Sequence, residues 1–170
     1  MSKPNVIKLR MVRDVLWQPQ VKEHFNYNTW YKHRGTSHTH TESNPLGLCG
    51  TSGCALGWGT TVPELGMKLL LNTYGTYGMV VPSNSTLSYY QARDTAYTSL
   101  QTAMQVFDLT WEEANYLFIP DSPLLSTTLP ISPEETAPPS IVAAHIERFC
   151  RWAEGNDYTQ DYHQLPYPLV

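Results

Sequence analysis

The clearest secondary-structure signal in the chain lies in residues 88–118, SYYQARDTAYTSLQTAMQVFDLTWEEANYLF. Its first part carries apolar residues at three- and four-residue spacing, which predicts one amphipathic helix over 88–107. The apolar stripe consists of Ala92, Ala96, Leu100, Ala103 and Phe107. Thr110 and Glu113 then have the spacing of a capping box, so a second helix is predicted to begin there and run through Phe118.

Two further segments, 6–17 and 141–153, carry apolar residues at helical spacing. In the first, Ile7, Met11 and Val15 are predicted to face the core, with Val12 and Leu16 beside them. Pro19 stops this helix, and Gly155 follows the second one as its C-cap.

The middle of the chain lacks long segments with helical spacing of apolar residues. Residues 49–58 begin with turn-forming residues and can start a short helix, with Thr51 or Ser52 as its N-cap. In 67–81, two apolar runs flank the Gly-rich turn 72–78, which predicts a small β-hairpin. The region 32–48 lacks periodicity and is predicted to be a loop.

These elements predict a mainly α fold, a compact bundle of four or five helices with long Pro-rich loops and one small β-hairpin. Five prolines in 121–139 favour an extended connection there. A chain of 170 residues most economically forms one domain, assigned here to 1–155. Residues 156–170 form a Tyr- and Pro-rich C-terminal tail.

Composition excludes several classes of protein. No apolar run approaches the roughly 20 residues of a membrane span, so no membrane association is expected. Three cysteines do not make a disulfide framework, and the N-terminus lacks the pattern of a signal peptide, so a cytoplasmic location is expected. Charged residues make up only 15% of the chain and aromatic ones 12%, which predicts a neutral, polar-aromatic surface.

Charge is unevenly distributed along the chain. Residues 1–34 carry seven basic and two acidic side chains, a balance of +5, whereas four basic and thirteen acidic ones leave −9 in the remainder. The basic end could bind an acidic partner or a phosphate backbone through Lys8, Arg10 and Arg13. Alternatively, its charges complement the acidic body. The net charge of the whole chain is −4, which argues against a dedicated nucleic-acid-binding protein.

One motif carries a resemblance to known proteins. Residues 49–58 read Cys-Gly-Thr-x-x-Cys-x-x-Gly-Trp, which resembles a signature of small, uncharacterised bacterial and bacteriophage proteins. The segments 25–30, 106–118 and 140–149 are similar to flanking parts of the same pattern, although Tyr27 replaces a methionine. The resemblance implies a mobile-element origin and a mainly helical fold. It implies no activity.

The same region is a candidate metal site. His38, His40, Cys49 and Cys54 lie within seventeen positions, and zinc accepts a mixed set of imidazole and thiolate ligands. However, the Cys-x4-Cys spacing is wider than in common zinc knuckles. The two histidines also fit a solvated polar loop equally well.

A small anionic ligand is a second candidate. Gly50, Thr51, Ser52 and Gly53 open a predicted helix, where backbone N–H groups and hydroxyls can bind an anion beside Trp58. No lysine follows at the position that a phosphate-binding NTPase loop requires. In the structural alternative, the glycines permit close packing, and the cysteines and the tryptophan fill the core.

Nucleophilic catalysis is a third candidate. Cys54 near a helix start would have a lowered pKa, and His38, His40 or His145 would be its base. His145 lies beside an apolar stripe, where a structural histidine is the alternative. No paired-carboxylate motif or other catalytic signature stands out.

Tyrosines are abundant outside the apolar stripes, and this suits recognition of a protein or ligand. The set comprises Tyr74, Tyr77, Tyr89, Tyr90, Tyr158, Tyr162 and Tyr167. Alternatively, they cover a shallow core. We therefore predict a non-enzymatic phage or bacterial accessory protein that binds a host protein or a small anionic ligand and interferes with host defence. The alternative is a metal- or Cys-dependent enzyme centred on 49–58.

Overall fold

The structure is a computed structural model that describes residues 3–26, 31–33, 46, 51–94, 98–119 and 138–155. The helices in these ranges are α1 (Val6–Leu16), α2 (Ala55–Gly59), α3 (Tyr89–Asp94), α4 (Thr98–Phe107), α5 (Trp111–Phe118) and α6 (Pro139–Glu154). Two 3-10 turns, Pro19–Val21 and Pro63–Leu65, follow α1 and α2. The predicted mainly α fold is confirmed. The tail 156–170 and nearly all of the Pro-rich connection lie outside the described residues.

The strands are β1 (Tyr31–His33), β2 (Thr51–Ser52), β3 (Met67–Leu71) and β4 (Tyr77–Pro82). They form one antiparallel sheet in the order β2-β1-β4-β3. The predicted hairpin is confirmed as β3 and β4, but the prediction of a loop over 32–48 is wrong at its start, which lies in β1. Strands as short as β1 and β2 show no measurable periodicity, because alternation needs four or more residues to be recognised.

The hairpin turn is built by Asn72. Its backbone N–H donates to Tyr77 O at 2.9 Å, and its side-chain Oδ1 accepts from the backbone N–H of Thr76 at 2.8 Å. Gly75 has a φ of +66°, a left-handed conformation that glycine adopts without steric cost. These contacts set the register, in which Leu69 lies opposite Val80.

β1 pairs with only the first residues of β4, and helix α4 contacts the same edge of β4 farther along the strand. The backbone N–H of Val80 donates to Ser99 Oγ at 2.9 Å, and the Thr102 hydroxyl shares its proton between Thr98 O at 2.7 Å and Val80 O at 3.2 Å. Both hydroxyl side chains are buried, so they satisfy a strand edge that would otherwise leave backbone polar groups unpaired in the core.

The single helix predicted over 88–107 is instead two helices, α3 and α4, and residues 95–97 between them lie outside the described residues. Thr98 Oγ1 donates to Ala92 O at 2.7 Å, so a side chain fastens the start of α4 to α3. The predicted apolar stripe is buried at Ala92, Leu100, Ala103 and Phe107.

The capping box at α5 is confirmed. The backbone N–H of Glu113 donates to Thr110 Oγ1 at 3.2 Å, and that of Thr110 donates to Glu113 Oε2 at 2.7 Å. The last helix begins at Pro139, where a first-turn proline costs no hydrogen bond, and Gly155 is its C-cap, as predicted.

Helix α1 is the centre of the packing and contacts α6, α2 and α4. Its buried face consists of Leu9, Val12, Val15 and Leu16. Ile7 is 69% exposed, so its predicted core position is wrong. The buried face follows the spacing of residues 9, 12 and 16, and Ile7 lies on another side of the helix. None of the helices in the described ranges has the length and apolar content to cross a bilayer.

Candidate functional site

The motif region 49–58 is described from Thr51 onward, and its backbone is engaged in pairing. Thr51 and Ser52 form β2 and pair with His33 and Lys32. Gly53 is buried, donates its N–H to His24 O at 3.0 Å and accepts from Asn26 N at 3.0 Å. The expected open, anion-binding turn is therefore not formed at residues 51–53. Gly50 lies outside the described residues.

The predicted N-cap of the short helix is also wrong. Cys54, rather than Thr51 or Ser52, occupies the N-cap position of α2, and it makes no side-chain capping bond. All five residues of α2 are buried. A Cβ atom on Gly59 would lie 2.9 Å from Met67 Cε and 3.4 Å from Val12 Cγ2. This glycine thus permits close packing of α2, as the structural alternative expected.

Cys54 has the electrostatics of a core thiol. The residue is 2% exposed, and desolvation by burial raises its pKa to about 11, although backbone N–H groups of α2 act in the opposite direction. The lowered pKa expected for a nucleophile is therefore wrong, because the gain from the helix start is smaller than the cost of burying a thiolate.

Trp58 lies in the same core and is 4% exposed. Its indole Nε1–H finds no acceptor among the described residues. Leaving such a donor unpaired costs about 1–3 kcal/mol, which burial of the large indole ring offsets. Trp58 therefore packs in the core, and its ligand-binding role stays a prediction.

The predicted zinc ligands are only partly described. Cys54 is buried, whereas His38, His40 and Cys49 lie outside the described residues. Among the residues the structure does describe, no group of three or more His, Cys, Asp or Glu side chains could hold a metal ion. The zinc site stays a prediction.

His145 is a buried histidine on α6. Its Nε2 lies 3.1 Å from Tyr116 O, and its ring lies 4.5 Å from the Tyr116 ring centroid. Desolvation by burial lowers its pKa to about 4, and nearby Arg148 adds to this shift. A neutral imidazole that donates to a backbone carbonyl is a structural group, so the alternative to a catalytic base is favoured here.

The basic face of α1 is paired inside the chain. Arg10 Nη1 lies 2.5 Å from Glu154 Oε1, and Arg10 Nε lies 3.2 Å from Glu147 Oε2. Arg13 also donates to Glu147. Two of the three side chains proposed for a phosphate backbone are thus neutralised by α6, which agrees with the alternative that they complement the acidic body. Lys8 is half-buried.

Exposed large apolar side chains recur in the segment 74–90, and we call Tyr74, Tyr77, Leu87 and Tyr90 the tyrosine surface. These are four of the seven large apolar side chains that are exposed in the described part of the chain. Thr73 Oγ1 and Tyr90 OH lie 3.3 Å apart, so the hairpin turn and α3 meet there.

One member of the tyrosine surface, Leu87, and one residue beside it, Arg93, were not singled out by sequence. Leu87 stands in a Ser-rich connection without periodicity, so no pattern marked it. Arg93 lies with its guanidinium 5.3 Å from the Tyr90 ring centroid, a cation–π contact that the spacing on α3 permits. Tyr89 is half-buried against Tyr90, and Tyr158, Tyr162 and Tyr167 lie outside the described residues.

Comparison with known proteins gives no match: no family model fits the chain, and neither the curated proteins nor the solved structures contain a significantly similar one.

Proposed function

We propose that the protein acts by binding another protein, and that the tyrosine surface is its contact region. The observation that carries this proposal is the exposure of Tyr74 and Tyr77 at the hairpin turn, of Tyr90 on α3 and of Leu87 just before α3, with Thr73 Oγ1 3.3 Å from Tyr90 OH. Tyrosine supplies a large contact area at a low cost in conformational entropy, and it is enriched where proteins recognise each other.

The exposure of these side chains supports a recognition role. Tyr74 is 64% exposed, Tyr77 48%, Tyr90 44% and Leu87 42%. The turn that presents Tyr74 is held by Asn72 and therefore needs little ordering when a partner binds. Arg93 adds a positive charge at the side of the Tyr90 ring.

The chemistry of the other candidate residues favours binding over catalysis. The Cys54 thiol is buried with a raised pKa, and His145 is a buried neutral group bonded to a backbone carbonyl. Neither is arranged to act on a substrate.

The wider role that we propose is that of a bacterial or phage accessory protein in the cytoplasm of its host. There, binding to a host factor would interfere with host defence. This part of the proposal depends on the resemblance of residues 49–58 to small bacterial and phage proteins.

Affinity capture from a bacterial lysate tests the proposal, with three baits compared by quantitative mass spectrometry. The bait with Tyr74→Ser, Tyr77→Ser and Tyr90→Ser should lose at least about tenfold of a partner that wild type captures, because aromatic contacts dominate binding energy. The matched control carries Ile7→Ser, Trp17→Ser and Trp111→Ser, the other three large apolar side chains that are exposed among the described residues, and should retain the partner.

Two results would overturn the proposal. Wild type could capture no protein above the background of an unrelated bait, or the tyrosine variant could retain the partner as well as the control variant does. Circular dichroism of both variants checks that they are folded.

A further inference from the structure

The charge around the tyrosine surface has the opposite sign to that of the chain as a whole. Between Glu64 and Asp94 the sequence contains two basic residues, Lys68 and Arg93, and no acidic residue. The complete chain has a net charge of −4. The segment that carries the tyrosine surface is therefore a locally basic part of an acidic protein.

Lys68 lies beside one member of the tyrosine surface, Leu87. Its Nζ donates to Ser85 O at 2.8 Å, and Oγ of the same serine accepts from the backbone N–H of Leu87 at 3.3 Å. The lysine is half-buried and forms no ion pair with any residue that the structure describes, whereas Arg10 and Arg13 meet a carboxylate of α6. An ammonium group has three N–H donors, and the bond to Ser85 occupies one of them. Lys68 can therefore donate to an acidic group of a partner.

Arg93 lies beside another member, Tyr90. Its Cζ is 5.3 Å from the Tyr90 ring centroid, and the residue is exposed. A guanidinium group carries five N–H donors at the edges of its plane, and two of them match the two oxygens of a carboxylate. Contact of its face with an aromatic ring leaves those edges accessible. A partner carboxylate can therefore bind Arg93 in a bidentate arrangement.

The two cations lie toward opposite ends of the hairpin of β3 and β4. Lys68 is the second residue of β3, whereas Tyr90, which Arg93 contacts, lies 3.3 Å from Thr73 Oγ1 in the hairpin turn. The three steps from Lys68 to the end of β3 span about 10 Å. The Nζ atom of Lys68 is held at Ser85, beyond the end of β4 that pairs with the start of β3. One carboxylate therefore reaches only one of the two cations.

The surface between the two cations is apolar. Residues directly opposite each other in β3 and β4 share a sheet face, as do alternate residues along each strand. Leu70 lies opposite Met79, so these two and Tyr77 are on the face that carries Lys68. Tyr77 is 48% exposed, and Leu70 and Met79 are half-buried. A segment that joins the two cations therefore passes over apolar side chains.

We propose that the tyrosine surface binds an acidic segment of its partner protein, in which one carboxylate pairs with Lys68 and another with Arg93. Apolar side chains between the two carboxylates contact Tyr77 and Leu70. An extended segment rises about 3.3 Å per residue, so about three residues or more separate the carboxylates. This inference rests on the proposed function and specifies the chemistry of the partner, because complementary charge selects one partner over others.

An acidic peptide fits this surface better than a single-stranded nucleic acid does. Bases bind by stacking on flat aromatic side chains, whereas Leu70, Met79 and Leu87 are aliphatic. A nucleic acid also carries a charge on every nucleotide, and the net charge of −4 repels such a polyanion. A peptide with two carboxylates carries its negative charge only where the cations lie.

Selection of a random peptide library on the purified wild-type protein tests the proposal without knowledge of the natural partner. The enriched peptides should contain two Asp or Glu residues, about three or more positions apart, with apolar residues between them. The affinity of an enriched peptide is then measured by fluorescence anisotropy. It should fall as the salt concentration rises, because salt screens exposed ion pairs.

Lys68→Gln combined with Arg93→Gln should raise the dissociation constant of an enriched peptide at least about tenfold, because each change removes a charge-assisted hydrogen bond. Glutamine keeps a side-chain N–H that can donate to Ser85 O, so the change is mild for the fold. Lys3→Gln combined with Lys22→Gln is the matched control. It removes the same charge from two exposed residues outside the segment, and it should bind like wild type. Circular dichroism checks that both variants are folded.

Three results would overturn the proposal. Wild type could enrich no peptide, or the enriched peptides could show no excess of acidic residues, or the Lys68 and Arg93 variant could bind as tightly as the control. Binding of an oligothymidylate in place of any peptide would instead assign the surface to single-stranded nucleic acid. The composition of the enriched peptides is measured on wild type, so it tests the proposal even if the variant fails to fold.

The variant with Tyr74→Ser, Tyr77→Ser and Tyr90→Ser separates this proposal from the proposed function. Neutral peptides that wild type binds and this variant loses would overturn the acidic partner and leave the tyrosine surface as a binding site. Acidic peptides that this variant binds as tightly as wild type does would overturn the tyrosine surface itself.

Discussion

The guanidinium of Arg10 and the carboxylate of Glu147 meet across the interface of α1 and α6, although 137 residues separate them. Arg13 and Arg151 also donate to the same carboxylate, and Glu147 is only 20% exposed. One acidic side chain therefore joins the basic first helix to the last one.

Replacing Glu147 should destabilise the fold. Glu147→Gln keeps the shape of the side chain but removes the charge that three guanidinium groups share. We expect a loss of about 1–2 kcal/mol in the free energy of unfolding, measured by urea denaturation, because the network is partly buried. Glu154→Gln is the matched control and should cost less, since Glu154 is more exposed. Equal losses of unfolding free energy in Glu147→Gln and Glu154→Gln would contradict a central role for Glu147 in the network.

The same carboxylate should make stability fall in acid. Burial opposes ionisation of Glu147, but hydrogen bonds from Arg10, Arg151 and Arg13 outweigh it and lower its pKa to about 2 from 4.5. A depressed carboxyl pKa gives stability that is complete above the unfolded value and is lost as pH falls toward the folded one. Wild type should therefore lose more stability between pH 4.5 and 2 than Glu147→Gln does. If wild type and Glu147→Gln lost the same stability over this pH range, the prediction would be refuted.

His145 should add a second, separate acid dependence. Its pKa is about 4 in the fold and 6.5 when unfolded, so the unfolded chain binds the proton first and stability falls as pH drops between these values. The shift corresponds to about 3 kcal/mol at most. His145→Gln should flatten the dependence of unfolding free energy on pH in this window, measured by urea denaturation at a series of pH values, and an unchanged dependence would contradict the prediction.

Cys54 should resist alkylation in the native protein. Its pKa of about 11 reduces the thiolate fraction at neutral pH, and burial blocks access. We expect labelling by iodoacetamide to be slower than in urea by on the order of 100-fold or more. Peptide mass spectrometry measures both rates at Cys54, with Cys150, whose pKa burial raises to about 12, as an internal comparison. Labelling of native protein at the denatured rate would exclude a core position.

Gly59→Ala should destabilise the packing of α2 on β3. The added Cβ would lie 2.9 Å from Met67 Cε, and this flexible end can move only within a buried site. Overpacking should cost about 1 kcal/mol, net of the higher helix propensity of alanine. In the background of Met67→Ala the same change should cost less, and thermal unfolding of the four proteins of this cycle gives the coupling. Additive effects of the two substitutions on stability would contradict direct contact between the side chains at positions 59 and 67.

Sequence patterns predicted the elements that are determined by contacts between residues close together in the chain. The capping box of Thr110 and Glu113 is a contact between residues three apart, and the hairpin of β3 and β4 closes around its own turn, so both are visible in the sequence. Strands β1 and β2 were missed because they are stabilised by partners far along the chain. The choice between Ile7 and Leu9 for the core depended on where the helices that pack against α1 lie, which the α1 segment alone does not encode.

The motif at 49–58 shows why a site is harder to predict than an element. A cysteine near a helix start fits a metal ligand, a nucleophile and a core residue equally well. The burial of Cys54 favours the core residue over the nucleophile, and α1, which lies outside the motif, packs against α2; the metal ligand stays a prediction. The abundance of tyrosines outside the apolar stripes could be read from the sequence. The contact between Thr73 and Tyr90, which brings the hairpin turn to α3, could not.

The pairing of α1 with α6 also governs the order in which the molecule can form. Helix α1 is synthesised before all the other described elements and α6 after them, so the part of the α1 surface that contacts α6 is not covered until translation reaches α6. Contacts of such long sequence separation slow folding and leave an apolar helix face open on the ribosome. The final helix therefore acts as the closing step of folding, and a chain truncated before it would expose the first helix to aggregation.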